Sequence, residues 1–134
     1  MTRTLLIAAA AMLVLMAIAD FVWLNTATKW LYRPRIGHLL ADKPNMVAAV
    51  AFYLLYGAGV AALVLRPAVA AGSPGSALLW GAIFGLVAYG TYDLTNQATL
   101  KDWSPTVTAV DMAWGTLLTG VSSAAGVWIA QKLA

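Results

Sequence analysis

The segment LLIAAAAMLVLMAIA (Leu5–Ala19) contains no polar or charged side chain. Asp20 follows it, but the apolar character resumes with Phe21-Val22-Trp23-Leu24, and the next basic residue is Lys29. A helix that crosses a bilayer needs about 20 mostly apolar residues. The segment therefore predicts a membrane-spanning helix over residues 5–28, and with it an integral membrane protein.

Three further segments have a similar length and apolar character, and each begins with a proline, which is well tolerated in the first turn of a helix. Ser73 and Ser104 precede two of these prolines and are predicted N-caps. Because the links are short, consecutive helices are expected to be antiparallel neighbours. We predict a single all-α domain over residues 1–134, an integral membrane four-helix antiparallel bundle. Its helices are expected at about 5–28, 44–65, 74–99 and 105–130.

The composition agrees with a membrane location. Hydrophobic residues make up 62% of the chain and charged residues 10%, whereas a soluble domain carries about 25% charged residues. The net charge of +3 is not arranged as a basic stripe with interleaved aromatic residues, which excludes nucleic acid as a partner. The absence of cysteine excludes disulfides and thiolate metal sites. The first segment also resembles a signal peptide cleaved after Ala17-Ile18-Ala19, but the apolar run continues beyond that point, so we expect a retained helix.

The basic residues predict an orientation. Face one, which holds both termini and the second link, carries Arg3, Arg66 and Lys132. Face two holds the first and third links, and the first link is expected to lie along the membrane surface. The positive-inside rule places face two in the cytoplasm of a bacterial inner membrane, with both termini outside. The basic residues of face two are Lys29, Arg33, Arg35, Lys43 and Lys101.

Small residues predict where helices touch. Gly81 and Gly85 form a GxxxG motif in the third helix. Such residues let helix backbones approach closely in lipid. Packing within the bundle is the favoured use of this motif, and self-association into a homo-oligomer is the alternative.

Three aspartates fall inside the predicted spans: Asp20, Asp93 and Asp111. At about 1.5 Å per residue, each lies roughly 12–13 Å from the face-two end of its helix. Ionisable groups inside a membrane are costly and usually face the bundle interior. We therefore expect the three carboxyl groups to enter one cavity within roughly 10 Å of one another. Because like charges crowd each other, at least one is expected to hold a proton.

Aromatic and polar side chains surround this level, whereas the helices are almost wholly aliphatic towards face one. This distribution predicts a polar cavity that opens at face two and is closed by an apolar plug, and it disfavours a pore. The candidate binding residues are Asp20, Trp23, Tyr53, Tyr56, Tyr89, Tyr92, Asp93, Asn96, Asp111 and Trp114. The polar residues expected between them and face two are Asn25, Thr26, Thr28, Thr95, Asn96, Gln97, Thr99, Thr106 and Thr108.

The aspartates also have a structural interpretation, because buried acids hydrogen-bonded to tyrosine, tryptophan or threonine can hold helices together. Trp30, Tyr32 and Trp103 are expected to be interface anchors, and His38 a solvated residue of the first link. A single histidine disfavours zinc or iron, while an oxygen-only site for a hard cation remains an alternative. We predict no metal and no cofactor.

Four segments give the chain a resemblance that spans almost its whole length. They are DFVWL (Asp20–Leu24), FYLLYG (Phe52–Gly57), AYGTYDLTN (Ala88–Asn96) and VDMAWG (Val110–Gly115). They are similar to an uncharacterised bacterial family of predicted four-helix inner-membrane proteins. The resemblance implies the same fold but no established activity. Relatives are often encoded near enzymes that modify membrane fatty acids, such as cyclopropane-synthase-like methyltransferases, which implies a link to lipid chemistry.

Three functions remain open from the sequence. The first is lipid handling, with membrane lipids as partners, in which a protonated Asp93 or Asp111 acts as acid or base and Tyr53 or Tyr92 as donor. No nucleophile motif is present, so the sequence does not decide whether the protein is an enzyme. The second is a proton- or cation-coupled small transporter, similar only in architecture to small multidrug-resistance transporters and disfavoured by the apolar plug. The third is a structural or assembly subunit whose aspartates hold the helices together.

Overall fold

The computed structural model describes residues 1–134 and contains four helices long and apolar enough to cross a membrane. These are α1 (Thr2–Leu39), α2 (Met46–Ala71), α3 (Pro74–Thr99) and α4 (Pro105–Leu133). No strand is present. The predicted all-α membrane bundle is confirmed. Contacts of Asp20 with Tyr53 and of Leu13 with Gly57 show that α1 and α2 run antiparallel. The close approaches of Gly81 to Thr119 and of Gly85 to Gly115 show the same for α3 and α4.

Two helices continue past the ends that the sequence predicts. α1 does not stop at Thr28 but passes through a π-helical turn, Thr28–Tyr32, and continues to Leu39. α2 likewise passes through a π-helical turn, Ala61–Leu65, and continues to Ala71. An Arg-Pro pair follows each wide turn, Arg33-Pro34 in α1 and Arg66-Pro67 in α2. Proline lacks an N–H and crowds the preceding turn, so the wider turn lets the helix continue where the sequence predicts a link.

The helix starts are set by short polar side chains. Ser73 accepts a hydrogen bond from the backbone N–H of Ser76, and Ser104 accepts one from Val107, so both predicted N-caps are confirmed. The expected first-turn position of Pro44 is wrong. Asn45 is the N-cap of α2 and accepts from the N–H of Ala48, which leaves Pro44 outside the helix.

The tightest helix pair is α3 with α4. A Cβ atom on Gly81 would lie 2.9 Å from the carbonyl oxygen of Thr119, and one on Gly85 would collide with the backbone of Gly115. The GxxxG motif is therefore used inside the bundle, as the sequence predicts. On the other side of α4, Gly126 packs in the same way against the backbone of α1 at Ala8.

α2 packs least closely. Its second half, from Ala61 onwards, contacts α1, α3 and α4, whereas Met46–Val60 makes few backbone approaches to the other helices. Apolar side chains of that first half, such as Val47 and Leu55, are 82% and 75% exposed. The gap beside this half of α2 positions the candidate site.

The interior is arranged in three levels along the membrane normal. Towards face one, an apolar core includes Met12, Val60 and Val127. At face two, a smaller apolar cluster joins the extension of α1 to the start of α4, and it consists of Ala27, Leu31, Ile36, Trp103 and Val107. The membrane aspartates and their partners lie between these two clusters, and the expected apolar plug towards face one is present.

Candidate functional site

Asp20 is held by two neighbouring helices. Its carboxylate accepts a hydrogen bond from the Tyr53 hydroxyl of α2 and another, at 3.1 Å, from the indole N–H of Trp114 in α4. The expectation that a tyrosine donates to one of the acids is therefore confirmed. These bonds join α1, α2 and α4, so Asp20 fits the structural interpretation of the aspartates.

Asp111 has a different partner, Tyr32, which the sequence predicts to be an interface anchor. The Tyr32 hydroxyl donates to the Asp111 Oδ1 atom at 2.6 Å and accepts from the indole N–H of Trp23 at 2.9 Å. Trp23 in turn stacks on Trp114, with ring centroids 4.5 Å apart and planes 7° from parallel. The expectation that Tyr32 anchors the interface is wrong, because the π-helical turn continues α1 and directs this side chain into the bundle.

Asp93 is fully buried, and neither of its carboxyl oxygens has a hydrogen-bond partner. The acid next to it is Asp111, whose carboxyl is close enough to share a hydrogen bond with Asp93 if one of the two carries a proton. An unpaired buried polar group is costly, so a native chain that keeps one invites a functional explanation. The expectation that one acid carries a proton stays a prediction.

A hydrogen-bond network closes the face-two end above Asp93. The Trp103 indole donates to Thr108 at 3.0 Å, and the Thr108 hydroxyl donates to Gln97 at 2.9 Å. The Gln97 side-chain amide N–H donates to the backbone carbonyl of Trp103 at 3.1 Å, which closes the network. Trp103 is buried, so its expected role as an interface anchor is also wrong.

One cavity lies between α2, α3 and α4 and has a volume of about 310 Å³. We call it the main cavity or, from the direction of its mouth, the lateral cavity. Phe52 and Tyr92, which flank it on α2 and α3, are 50% and 56% exposed. Phe52 lies six residues from the start of α2 and Tyr92 seven residues from the end of α3, roughly 9–11 Å from face two at 1.5 Å per residue, so the mouth opens sideways at hydrocarbon depth. The lining residues are Phe52, Tyr56, Ala88, Tyr89, Tyr92 and Asp111.

A second cavity of about 260 Å³ lies on the face-two side of the first. It is formed by one stripe of α1, which includes Thr28 and Tyr32, together with residues of α3 and α4. Tyr92 and Asp111 line both cavities, so the two meet at these side chains. The structure thus has two adjoining cavities and a lateral mouth. The sequence predicts instead a single cavity that opens at face two.

The structure brings together most of the predicted site residues but divides their roles. Asp111, Tyr56, Tyr89 and Tyr92 line the main cavity, whereas Asp20 and Asp93 do not. The expectation that all three acids enter one cavity is therefore wrong. The remaining predicted residues do not line the main cavity; they are Trp23, Tyr53, Asn96 and Trp114.

Several polar residues expected in the cavity point away from it. Asn25, Thr26, Thr95 and Thr99 are exposed, and each donates to a carbonyl one turn earlier in its own helix. Such bonds satisfy a polar side chain without any partner helix. The depth of a residue along its helix does not tell whether its side chain faces the cavity. A Thr or Asn side chain can form its hydrogen bond to a carbonyl of its own helix on any face of that helix.

The family comparison agrees with this architecture. The model of DUF2177, described as a predicted membrane protein, matches residues 5–128. The chain belongs to this family. No curated protein and no solved structure matches it. Membership in DUF2177 and the four candidate spans make this a multi-pass membrane protein.

Proposed function

We propose that this protein binds a single membrane lipid through the lateral cavity and holds part of its acyl chain beside Asp111. The observation that carries the proposal is the position of the mouth, between Phe52 and Tyr92 at hydrocarbon depth. An acyl chain can reach such an opening directly from the bilayer, without crossing the water-facing surface of the protein.

The chemistry of the lining supports an amphipathic ligand. Five of the six lining residues are apolar or aromatic, and Asp111 is the one acid among them. The Tyr32 hydroxyl, 2.6 Å from Asp111, completes an acid–hydroxyl pair at the point where the cavities meet. In this arrangement Asp111 acts as the hydrogen-bond or acid–base group. Of the two tyrosines that the sequence predicts as donors, Tyr92 is the one available, because Tyr53 donates to Asp20. The role is that of a lipid-handling protein of a bacterial inner membrane.

Transport receives less support. The face-one half of the bundle is filled by an apolar core that includes Met12, Val60, Leu118 and Val127. The buried polar side chains of α4 in or next to that half are the hydroxyls of Thr119, Ser122 and Ser123, and none of them is ionisable. An ion crossing that half would therefore lose its hydration without meeting an opposite charge. The arrangement favours a site that exchanges ligand with the bilayer over one that connects the two faces.

The test is to fill the cavity and count retained lipid. Ala88 lines the cavity, while the neighbouring Val87 points outward and is 62% exposed. We expect native mass spectrometry of Ala88→Phe, released from mild detergent, to show the loss of one bound lipid. Val87→Phe adds an aromatic ring on the lipid-facing side and is expected to retain it.

Equal lipid retention in the two variants would contradict the proposal, as would a parent protein that retains no lipid. Both variants are first compared with the parent by thermal unfolding, so that a loss of lipid is not confused with a loss of fold. Should Ala88→Phe unfold, Ala88→Leu fills less space and the same comparison is made with Val87→Leu.

A further inference from the structure

A third, polar pocket lies on the outer side of α1 near face two. It has a volume of about 330 Å³ and is lined by Leu24, Asn25, Thr28, Lys29 and Arg33. No carboxylate lines it. Neither the cavity proposed for the acyl chain nor the hydrogen-bond network around Asp111 uses its two cations.

These cations are free to bind an anion. Lys29 and Arg33 are exposed, and neither forms an ion pair, since the chain's one charged contact joins His38 to Asp102. Arg35 differs, because its guanidinium donates to the Trp30 carbonyl at 2.8 Å. Guanidinium and ammonium groups next to a hydroxyl are the donors that recognise phosphate.

The depth of the pocket matches the phosphate level of a bilayer. The apolar part of α1 from Leu5 to Leu24 covers about 30 Å at 1.5 Å per residue, which is the thickness of the hydrocarbon core. Lys29 and Arg33 follow five and nine residues after Leu24, roughly 7 and 13 Å further along the helix. Their long side chains can extend back to the level of the lipid headgroups. Basic pockets at this level attract anionic lipids.

The pocket also adjoins the cavities. It shares Leu24 and Thr28 with the second cavity, which shares Tyr92 and Asp111 with the main cavity. A phospholipid whose phosphate is bound at Lys29 and Arg33 therefore has its acyl chains beside α1, next to the cavities.

We propose that Lys29 and Arg33 bind the phosphate of an anionic phospholipid in the face-two leaflet, whose acyl chain enters the lateral cavity. This inference rests on the proposed lipid-binding function and names the class of lipid that the site selects. The charge of the pocket favours an anionic headgroup over a neutral one. Its headgroup depth and its position next to the second cavity favour a lipid over a soluble anion.

The experiment compares binding of phosphatidylglycerol and phosphatidylcholine to the full chain by native mass spectrometry. We expect the parent to prefer phosphatidylglycerol and the double variant Lys29→Gln/Arg33→Gln to lose roughly 30-fold of that preference, since each cation near a membrane surface is worth about five-fold. The matched control, Lys43→Gln/Lys101→Gln, removes the same charge from face two outside the pocket and is expected to keep the preference. Lys29→Arg/Arg33→Lys retains the charge and is expected to keep it as well.

The outcomes separate this inference from the function on which it rests. If the glutamine double variant keeps the preference, or the control loses as much of it, the phosphate site is wrong while the cavity proposal stands. If the parent binds neither lipid, the cavity proposal itself fails. Inorganic phosphate is added in a further arm: no displacement of phosphatidylglycerol supports a lipid headgroup, and displacement at equal concentration overturns the assignment to lipid.

Discussion

Asp20 accepts hydrogen bonds from Tyr53 and Trp114, so three helices meet at one carboxylate. Asp93 is buried without a partner, and Asp111 lines both cavities with the Tyr32 hydroxyl at 2.6 Å. The three acids therefore divide between the two interpretations that the sequence left open. Asp20 stabilises helix contacts, and Asp111 belongs to the candidate site. Asp93 is linked to that site through its contact with Asp111, although it lines neither cavity.

Replacing Asp20 tests the structural role. Asp20→Ala leaves the Tyr53 hydroxyl and the Trp114 indole without their acceptor, and we expect it to lower the free energy of unfolding by about 1–3 kcal/mol. Asp20→Asn is expected to cost less, because the amide can accept from one partner and donate to the other. Thermal unfolding in detergent measures both. Parent-like stability of Asp20→Ala, or equal losses in the two variants, would show that these bonds do not hold the helices.

Asp93 provides the opposite case. The Asp93 carboxyl accepts no hydrogen bond from a donor group, and its one polar neighbour is the Asp111 carboxyl. Asp93→Asn keeps a donor towards Asp111, so it removes no bond on which the fold depends. We expect this variant to accumulate normally and to unfold at the same temperature as the parent or higher. A variant that fails to accumulate would make Asp93 a structural residue and remove it from the site.

At the scale of the helices, the two π-helical turns explain what the sequence did not predict. The N-caps Ser73 and Ser104 follow from local chemistry, and their prediction is confirmed. The course of α1 beyond Thr28 depends on a wide turn before Pro34, and a proline in the sequence is normally interpreted as a helix end. The sequence therefore predicts a link at Tyr32, whereas the continued helix places its hydroxyl in contact with Asp111.

The pairing of α3 with α4 gives an element-scale prediction. Gly81→Leu or Gly85→Leu inserts a side chain against the backbone of α4, and we expect each to lower the free energy of unfolding by about 1–3 kcal/mol or more. Gly75→Leu, in the first turn of the same helix, is the control, since a Cβ there meets only Ser73 Oγ at 3.8 Å. Detergent melting that shows the three variants equally stable would contradict the packing role.

At the scale of the whole molecule, the number of spans, the apolar half towards face one and the level of polar residues could be predicted from hydropathy and helix rise. The lateral mouth could not, because it depends on how weakly Met46–Val60 packs against its neighbours. Apolar side chains such as Leu55 are equally compatible with helix contact and with lipid contact. Sequence therefore gives the depth of Asp111 but not the direction in which its cavity opens.

The orientation of the molecule is a further prediction at this scale. The larger number of basic residues on face two predicts that this face is cytoplasmic. The chain has no native cysteine, so a membrane-impermeant thiol reagent added outside cells should label Ala71→Cys and leave Lys101→Cys unlabelled. Ala71 is exposed and precedes the second link, which spares the cap at Ser73. The reverse labelling pattern would show that the orientation is inverted.

The central claim is that the cavity between α2 and α3 holds a lipid chain, and it is tested most directly by an experimental structure determined in a lipid nanodisc. We expect elongated density that enters between Phe52 and Tyr92, passes Ala88 and ends beside Asp111. We also expect headgroup density near Lys29 and Arg33. Only ordered water or an ion in the cavity, or a first half of α2 closed against α3 so that no cavity remains, would contradict it.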